Sequence, residues 1–364
     1  MDRPNALKAP RLKLQTLQLC LLLSAAGACA ASEVLQHVPP DGTAAFDPRP
    51  LMDKLNERIA SDKYSFAVLG DPKHAATFPP LTRYLDEAVK PDFVLTTGDM
   101  VNAGGGKVGP RFWEKLSTDS GAEFRKRPWW PAIGNHEIAG DPIFKEPSQS
   151  EQQAQIKSGL ENFKHFYNLE REYYSFSFRN AVFIALPFPN PTGDAVKWAA
   201  QELKQAKEAG KLIFVWNHCP FFTVGMKTKA EVSNAPTELT RLFSEYGVCA
   251  VFSGHDHGYY RTIRDGIPFL TSAGGGAMLY SAERKGEALP ADVYYYADPD
   301  SNRAAAGGKN VKRKYLYHNG VTGKDETTDS PEQFLIVVEV NGKSASVRCV
   351  TSSGRIFDEL TLSK

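Results

Sequence analysis

Short apolar runs recur along the chain, and each ends in the same kind of residue. Phe66-Ala67-Val68-Leu69, Val94-Leu95-Thr96-Thr97, Pro131-Ala132-Ile133, Ile213-Phe214-Val215-Trp216 and Ala250-Val251-Phe252-Ser253 each run into glycine or a polar cluster. Apolar runs of this length, bounded by turn residues, read as strands buried on both faces. Strands are therefore expected over residues 64–69, 93–97, 129–133, 212–216 and 248–252, with a hairpin of 173–178 and 181–186 turning at Arg179-Asn180. Helical stretches fall between them: 81–89, ended by Pro91; a Gln-rich segment, 148–166; 195–209, with Trp198, Leu203 and Ala206 on one face and Gly210 as its stop; and 237–246. Strand–helix–strand repetition predicts an α/β fold whose parallel or mixed sheet is covered by helices. The periodicity then changes. Residues 334–340, 344–350 and 356–362 alternate as three antiparallel strands, with Asn341-Gly342 as a hairpin turn.

These patterns divide the chain. Residues 1–30 read as a signal peptide: Lys8, Arg11 and Lys13 precede an apolar run from Leu14 to Ala28, and Ala28-Cys29-Ala30 is a small-x-small cleavage pattern. The run is too short to span a membrane comfortably, so no transmembrane span is expected. Ala26-Gly27-Ala28-Cys29 also loosely matches a lipobox, so a lipid anchor at Cys29 is the alternative. Either way the protein is exported, periplasmic or secreted. Residues 31–63 form an extended lead-in with a short helix near 51–59, 64–279 the main domain, 280–331 a polar insertion or loop region, and 332–364 strands that complete the domain.

Composition narrows the function. Of 364 residues, 43 are Lys or Arg and 42 are Asp or Glu, so the net charge is +1. A chain so nearly neutral presents no field to recruit nucleic acid or acidic lipid. A small phosphorylated substrate stays open. The mature chain keeps Cys219, Cys249 and Cys349, an odd number read as buried thiols rather than as a disulfide framework.

The chemistry gathers where the runs end. Gly70-Asp71, Gly98-Asp99, Gly134-Asn135-His136-Glu137, Asn217-His218 and Gly254-His255-Asp256-His257 each follow one strand. The carboxyl edge of such a sheet is where ligands bind. Asp oxygens, an Asn carbonyl and imidazoles suit Mn, Fe or Zn better than an all-oxygen Ca or Mg cage. The set exceeds what one tetrahedral ion needs, and two divalent ions about 3.5–4 Å apart, sharing a carboxylate, would use it. With two carboxylates and a bridging hydroxide, such a pair keeps one net positive charge to attract phosphate. The sequence Asn102–Lys107 (NAGGGK) is not a P-loop, since Val101 and Val108 stand where Gly and Ser/Thr are required; it reads as a flexible loop near the site. Tyr259, Tyr260 and Arg261 are candidates to line a substrate pocket, and Trp129-Trp130 and Phe221-Phe222 to pack the core.

These motifs resemble those of the calcineurin-like metallophosphoesterases, and the Gly-Asn-His-Glu and Val-x-x-His forms resemble the purple acid phosphatase branch most. The resemblance runs from about Tyr64 to Gly276. It implies two stacked mixed β-sheets flanked by helices, a four-layer α/β/β/α sandwich with a C-terminal antiparallel extension. It also implies that Asp99 bridges two metals, that Asp71 and His257 hold the first, and that Asn135, His218 and His255 hold the second. His136 would steady the transition state and protonate the leaving group. Two departures stand out. Lys73 replaces the His of the usual Asp-x-His motif, and Asn102 replaces the tyrosine ligand of purple acid phosphatases, so no iron–tyrosinate colour is expected. The first metal then looks short of ligands, to be completed by water or His74. Lys73 and Asn102 become candidates for substrate binding, Lys73 otherwise being a surface lysine. The implied activity is phosphomonoester hydrolysis by a metal-bound hydroxide. The alternatives are a phosphodiesterase or nucleotide hydrolase, and a degenerate, non-catalytic metal- or phosphate-binding protein.

Overall fold

A computed structural model of the chain describes residues 46–73, 78–140, 147–189, 191–222, 237–279, 293–297, 315–319, 321–328 and 332–363. The leader, Cys29 and His74 lie outside the described residues.

The strands are β1 (Lys63–Leu69), β2 (Phe93–Thr96), β3 (Trp129–Pro131), β4 (Tyr174–Phe178), β5 (Ala181–Ala185), β6 (Leu212–Trp216), β7 (Ala250–Ser253), β8 (Tyr259–Arg264), β9 (Ile267–Ser272), β10 (Val293–Ala297), β11 (Tyr315–Asn319), β12 (Lys324–Thr328), β13 (Phe334–Asn341), β14 (Ser344–Thr351) and β15 (Ile356–Ser363). The helices are α1 (Arg49–Arg58), α2 (Phe78–Tyr84), α3 (Gly109–Phe124), α4 (Asn135–Ile138), α5 (Gln149–Tyr167), α6 (Asp194–Glu208) and α7 (Thr237–Tyr246). One sheet has six strands in the order β15-β14-β13-β1-β2-β3, and the other nine in the order β12-β11-β10-β8-β9-β7-β6-β5-β4. Both are mixed: β1, β2 and β3 are parallel while β13 runs against β1, and β5, β6, β7 and β9 are parallel while β4 and β8 run against their neighbours.

Strand alternation explains the layers. In β1, Phe66 and Val68 face the second sheet, where they meet Phe183, Phe214, Trp216 and Phe252. Ala67 and Leu69 face the other way and pack with Phe78, Leu81, Trp113, Leu116 and Phe163 of α2, α3 and α5. The nine-stranded sheet buries Ile184, Ile213, Val215 and Val251 beneath Val196 and Leu203 of α6 and Leu239 and Phe243 of α7. The result is the expected helix–sheet–sheet–helix sandwich.

Several elements differ from the sequence reading. The segment read as a polar insertion contributes β10, β11 and β12 to one edge of the larger sheet. Of these, β12 (KDETT) is almost wholly solvent-facing and carries no apolar period, whereas Val293 and Tyr295 of β10 and Tyr315 of β11 are buried in the core. Helix α3 was not expected, because its buried stripe includes Gly109, Ser120 and Gly121 beside Trp113, Leu116 and Phe124, which dilutes the apolar period. On α6 the buried positions are Val196, Ala199, Leu203 and Ala206. Trp198 is only half-buried, beside Tyr173 with Arg171 over its ring. Among the described residues there is no disulfide, and Cys219 and Cys349 are buried.

Tyr259, Tyr260 and Arg261 serve the packing of the sheets. Tyr259 and Tyr260 are core residues. Asp358 of β15 accepts hydrogen bonds from the Tyr259 hydroxyl (2.6 Å) and Arg261 Nε (2.7 Å) of β8, tying one sheet to the other. Replacing Asp358 by Asn leaves a buried guanidinium without its counter-charge and is expected to cost about 2–3 kcal/mol. A lowered urea midpoint at unchanged slope is the expected reading.

Candidate metal centre

The five motif loops leave the carboxyl ends of β1, β2, β3, β6 and β7, three in one sheet and two in the other, and meet at one edge of the sandwich. Backbone hydrogen bonds lace them together. Asp71 N–H donates to Gly98 O (3.0 Å), Lys73 N–H to Asp99 O (3.1 Å), and Gly254 N–H to His218 O (2.9 Å). Of the eight non-glycine residues with positive φ among those described, four are here: Asp71, Lys73, Asp99 and His255. Left-handed backbone at a non-glycine residue carries strain that its surroundings must hold, and such strain collects at functional sites. Gly98 (φ 93) turns the chain ahead of Asp99, and a Cβ there would lie 2.9 Å from His218 Nδ1. Only glycine allows that approach.

One ligand group is Asp99, His218 and His255, with Asn135 beside it. His218 Nε2 lies 2.9 Å from Asn135 Oδ1, 3.0 Å from His255 Nδ1 and 3.3 Å from Asp99 Oδ1. His255 Nδ1 is 2.8 Å from Asn135 Oδ1. His218 Nδ1 donates to Thr97 O at 2.7 Å, which turns the Nε2 lone pair inward. Burial lowers the pKa of His218, keeping the imidazole neutral. A single proton on His255 can satisfy one of the three acceptors around it, whereas a cation satisfies all four groups. The donor chemistry fits a divalent ion.

The second group is Asp71, Asp99 and His257. His257 Nε2 is 3.4 Å from Asp71 Oδ1, and His257 Nδ1 is 2.9 Å from Met278 O. Asp71 Oδ1 and Asp99 Oδ2 are both buried without a hydrogen-bond partner among the described residues, which favours a cation between them. A cation of the chain's own is already among its atoms. Lys73 Nζ lies 3.1 Å from Asp99 Oδ2 and 3.0 Å from His257 Nε2, so Lys73 is not a surface lysine. Burial alone would raise the pKa of Asp99, but His218, Lys73, His136 and His255 together hold its carboxyl well below the usual range.

His136 is a quarter exposed, with Nε2 3.9 Å from Asp99 Oδ2. Its Nδ1 lies 2.5 Å from the backbone carbonyl of Asn102. Asn102 thus meets His136 through its main-chain carbonyl. The loop from Asn102 to Lys107 is pinned rather than flexible: Gly104 N–H donates to His136 O (2.7 Å), and Gly104 O accepts from Trp113 Nε1 and Asn162 Nδ2. Sequence reasoning gave Glu137 no role of its own. Its buried carboxylate accepts the N–H groups of Asp99 (2.8 Å), Met100 (2.6 Å) and Gly134 (2.7 Å), fixing two motif loops at once. Burial and then the charge of Asp99 push its carboxyl up to about 8, against the pull of those N–H donors. Its place three residues into α4, where a capping-box Glu stands, was the available signal.

A family model for the calcineurin-like phosphoesterases matches residues 64–259, more than half of the chain. The chain belongs to the calcineurin-like phosphoesterases. Solved structures share the sandwich of this family. A purple acid phosphatase, PPD1, from yellow lupin (Lupinus luteus) seeds superposes with a TM-score of 0.59 at 14% identity, covering 84% of this chain and 54% of that one. The chain thus spans about half the length of the lupin protein. GAP50, described as the anchor in the inner membrane complex of Plasmodium, gives 0.53 at 16% identity, over 83% of this chain and 89% of that one. PhoD gives 0.51 at 11% identity, over 82% and 72%. At such identities the likeness shows the fold alone. No curated protein matches the chain by sequence.

Proposed function

We propose that this protein is an exported phosphomonoesterase that releases inorganic phosphate from small organic phosphates at the edge of its sandwich. The observation that carries this reading is the convergence of Asn135 Oδ1, His218 Nε2, His255 Nδ1 and Asp99 Oδ1 within 3.3 Å steps, with His136 at its open side. A divalent ion bound there (Mn, Fe or Zn) would acidify a water and draw charge from a phosphoryl oxygen. The residues supply the rest. Asp99 offers Oδ1 to the ion group and Oδ2 to Lys73, so it fixes the two halves of the site against each other. Asp71, by accepting His255 N–H at 3.0 Å, holds the left-handed turn that presents His255. The Asn102 carbonyl accepts a hydrogen bond from His136 Nδ1–H, so that as an imidazolium His136 would present Nε2–H to the leaving oxygen.

Turnover of para-nitrophenyl phosphate by the metal-loaded protein, above that of an Asp99→Asn control, tests the reading; equal rates end it. Faster turnover of bis-para-nitrophenyl phosphate or of nucleotides would move the activity to the diesterase or nucleotide class. For His136→Ala we expect a loss of about a hundredfold on an alkyl phosphate, whose leaving oxygen needs a proton, and a smaller loss on para-nitrophenyl phosphate, whose leaving group does not. Equal losses on both would remove His136 from that role.

A non-catalytic binding protein is the second reading, favoured by Lys73 within one ligand group. It predicts bound metal or phosphate without turnover on any of these esters. Export rests on the basic-then-apolar leader and the Ala28-Cys29-Ala30 pattern. An intact mass of the extracytoplasmic protein distinguishes cleavage after Ala30 from lipidation of Cys29.

A further inference from the structure

The Lys73 side chain is 13% exposed and projects from a backbone in the left-handed region (φ 44) that is itself tied to Asp99 O. It is held in the site rather than resting on it. His257 Nδ1 faces the Met278 carbonyl and donates to it, which leaves Nε2 as an acceptor toward the ammonium. Of the lone pairs that a metal in this group would use, those on Asp99 Oδ2 and His257 Nε2 lie 3.1 and 3.0 Å from one primary amine, and Asp71 Oδ1 has no hydrogen-bond partner among the described residues. Charge points the same way. Asp71 and Asp99 bring two negative charges into a site where both are fully buried. Lys73 and one divalent ion bring three positive charges, which balance the two carboxylates and one hydroxide. A second divalent ion beside the lysine would leave an excess of two in a desolvated pocket, which is costly.

We propose that the Lys73 ammonium takes the place of one metal ion, making this a one-metal phosphoesterase. Asp99 then faces a divalent ion through Oδ1 and a lysine through Oδ2. The inference rests on the phosphoesterase reading above and deepens it. The lysine supplies a point charge within the site, one that cannot be chelated away.

Full-length protein is stripped with chelator and reloaded with Mn(II). The ions per folded chain are then counted by elemental analysis, and the electron paramagnetic resonance spectrum shows whether they are coupled. Wild type is expected to hold one ion with the spectrum of an isolated Mn(II). His257→Ala should leave the count at one, because its nitrogen serves the lysine, and His218→Ala should lower it toward zero. Lys73→His, which restores the usual Asp-x-His ligand, should raise the count to two with an exchange-coupled spectrum. If that variant does not fold, the wild-type and His257→Ala counts decide alone. Two ions in the wild type, or loss of the wild-type ion in His257→Ala, overturns the one-metal inference while the phosphoesterase reading stands on its turnover. A folded wild type that holds no ion overturns both.

Discussion

Replacing Asp99 with Asn is expected to lower kcat/KM for para-nitrophenyl phosphate by about three orders of magnitude while the protein still folds. The side chain is fully buried, and its two oxygens have different duties. Oδ1 lies 3.3 Å from His218 Nε2 and accepts His136 N–H at 2.9 Å, while Oδ2 lies 3.1 Å from Lys73 Nζ. Asn keeps the shape and one acceptor but removes the negative charge that both the ion group and the lysine share. A metal's electrostatic contribution at such a site is several kcal/mol, and about 4 kcal/mol corresponds to a thousandfold in rate. The measurement pairs steady-state kinetics with metal content and a circular dichroism melt. A variant within tenfold of wild type would show that Asp99 is not the shared ligand.

Phe66→Ala is expected to destabilise the fold by about 3–5 kcal/mol, among the largest costs a single truncation carries. Phe66 is fully buried at the centre of the sheet–sheet layer. Its ring stacks on Phe93 at 5.3 Å and meets Phe183 and Phe214 edge-on at 5.2 Å and Phe252 at 6.2 Å. Truncation removes the ring at the point where β1 and β2 of one sheet rest on β5, β6 and β7 of the other, and four neighbouring rings limit how far the gap can close. Phe66→Leu should cost markedly less, since much of the volume is kept. Denaturant midpoints at constant slope read both effects, and a cost below 1 kcal/mol for the alanine variant would contradict the packing described.

Much of this was readable in the residues themselves. The strands that carry the ligands are buried on both faces, so their apolar runs are continuous and their ends sharp. Asp71, Asp99, Asn135, His218, His255 and His257 could each be placed because every one directly follows such a run. Strand β12 (KDETT) escaped for the opposite reason, since a polar edge strand has no apolar period to betray it. The fixed loop after Asn102 also escaped. Its glycines suggest freedom, but here they admit the close contacts that lock it, and a Cβ at Gly104 would lie 2.2 Å from Glu137 O. Lys73 was visible as an irregular residue, yet its partners sit 26 and 184 positions further along the chain, at Asp99 and His257. No local pattern could show that the lysine enters the ligand group instead of pointing to water.

The ligands come from strands of two separate sheets, and this has a thermodynamic consequence. Neither sheet alone contains a complete set of donors, and an unfolded chain contains none, so an ion can select only the docked sandwich. Occupancy and tertiary assembly are then a single linked equilibrium, in which free metal raises the stability of the native state by the logarithm of its concentration over the dissociation constant. An ion bound there would act as a rivet through both layers, and a metal-starved chain would give up part of its protection against unfolding.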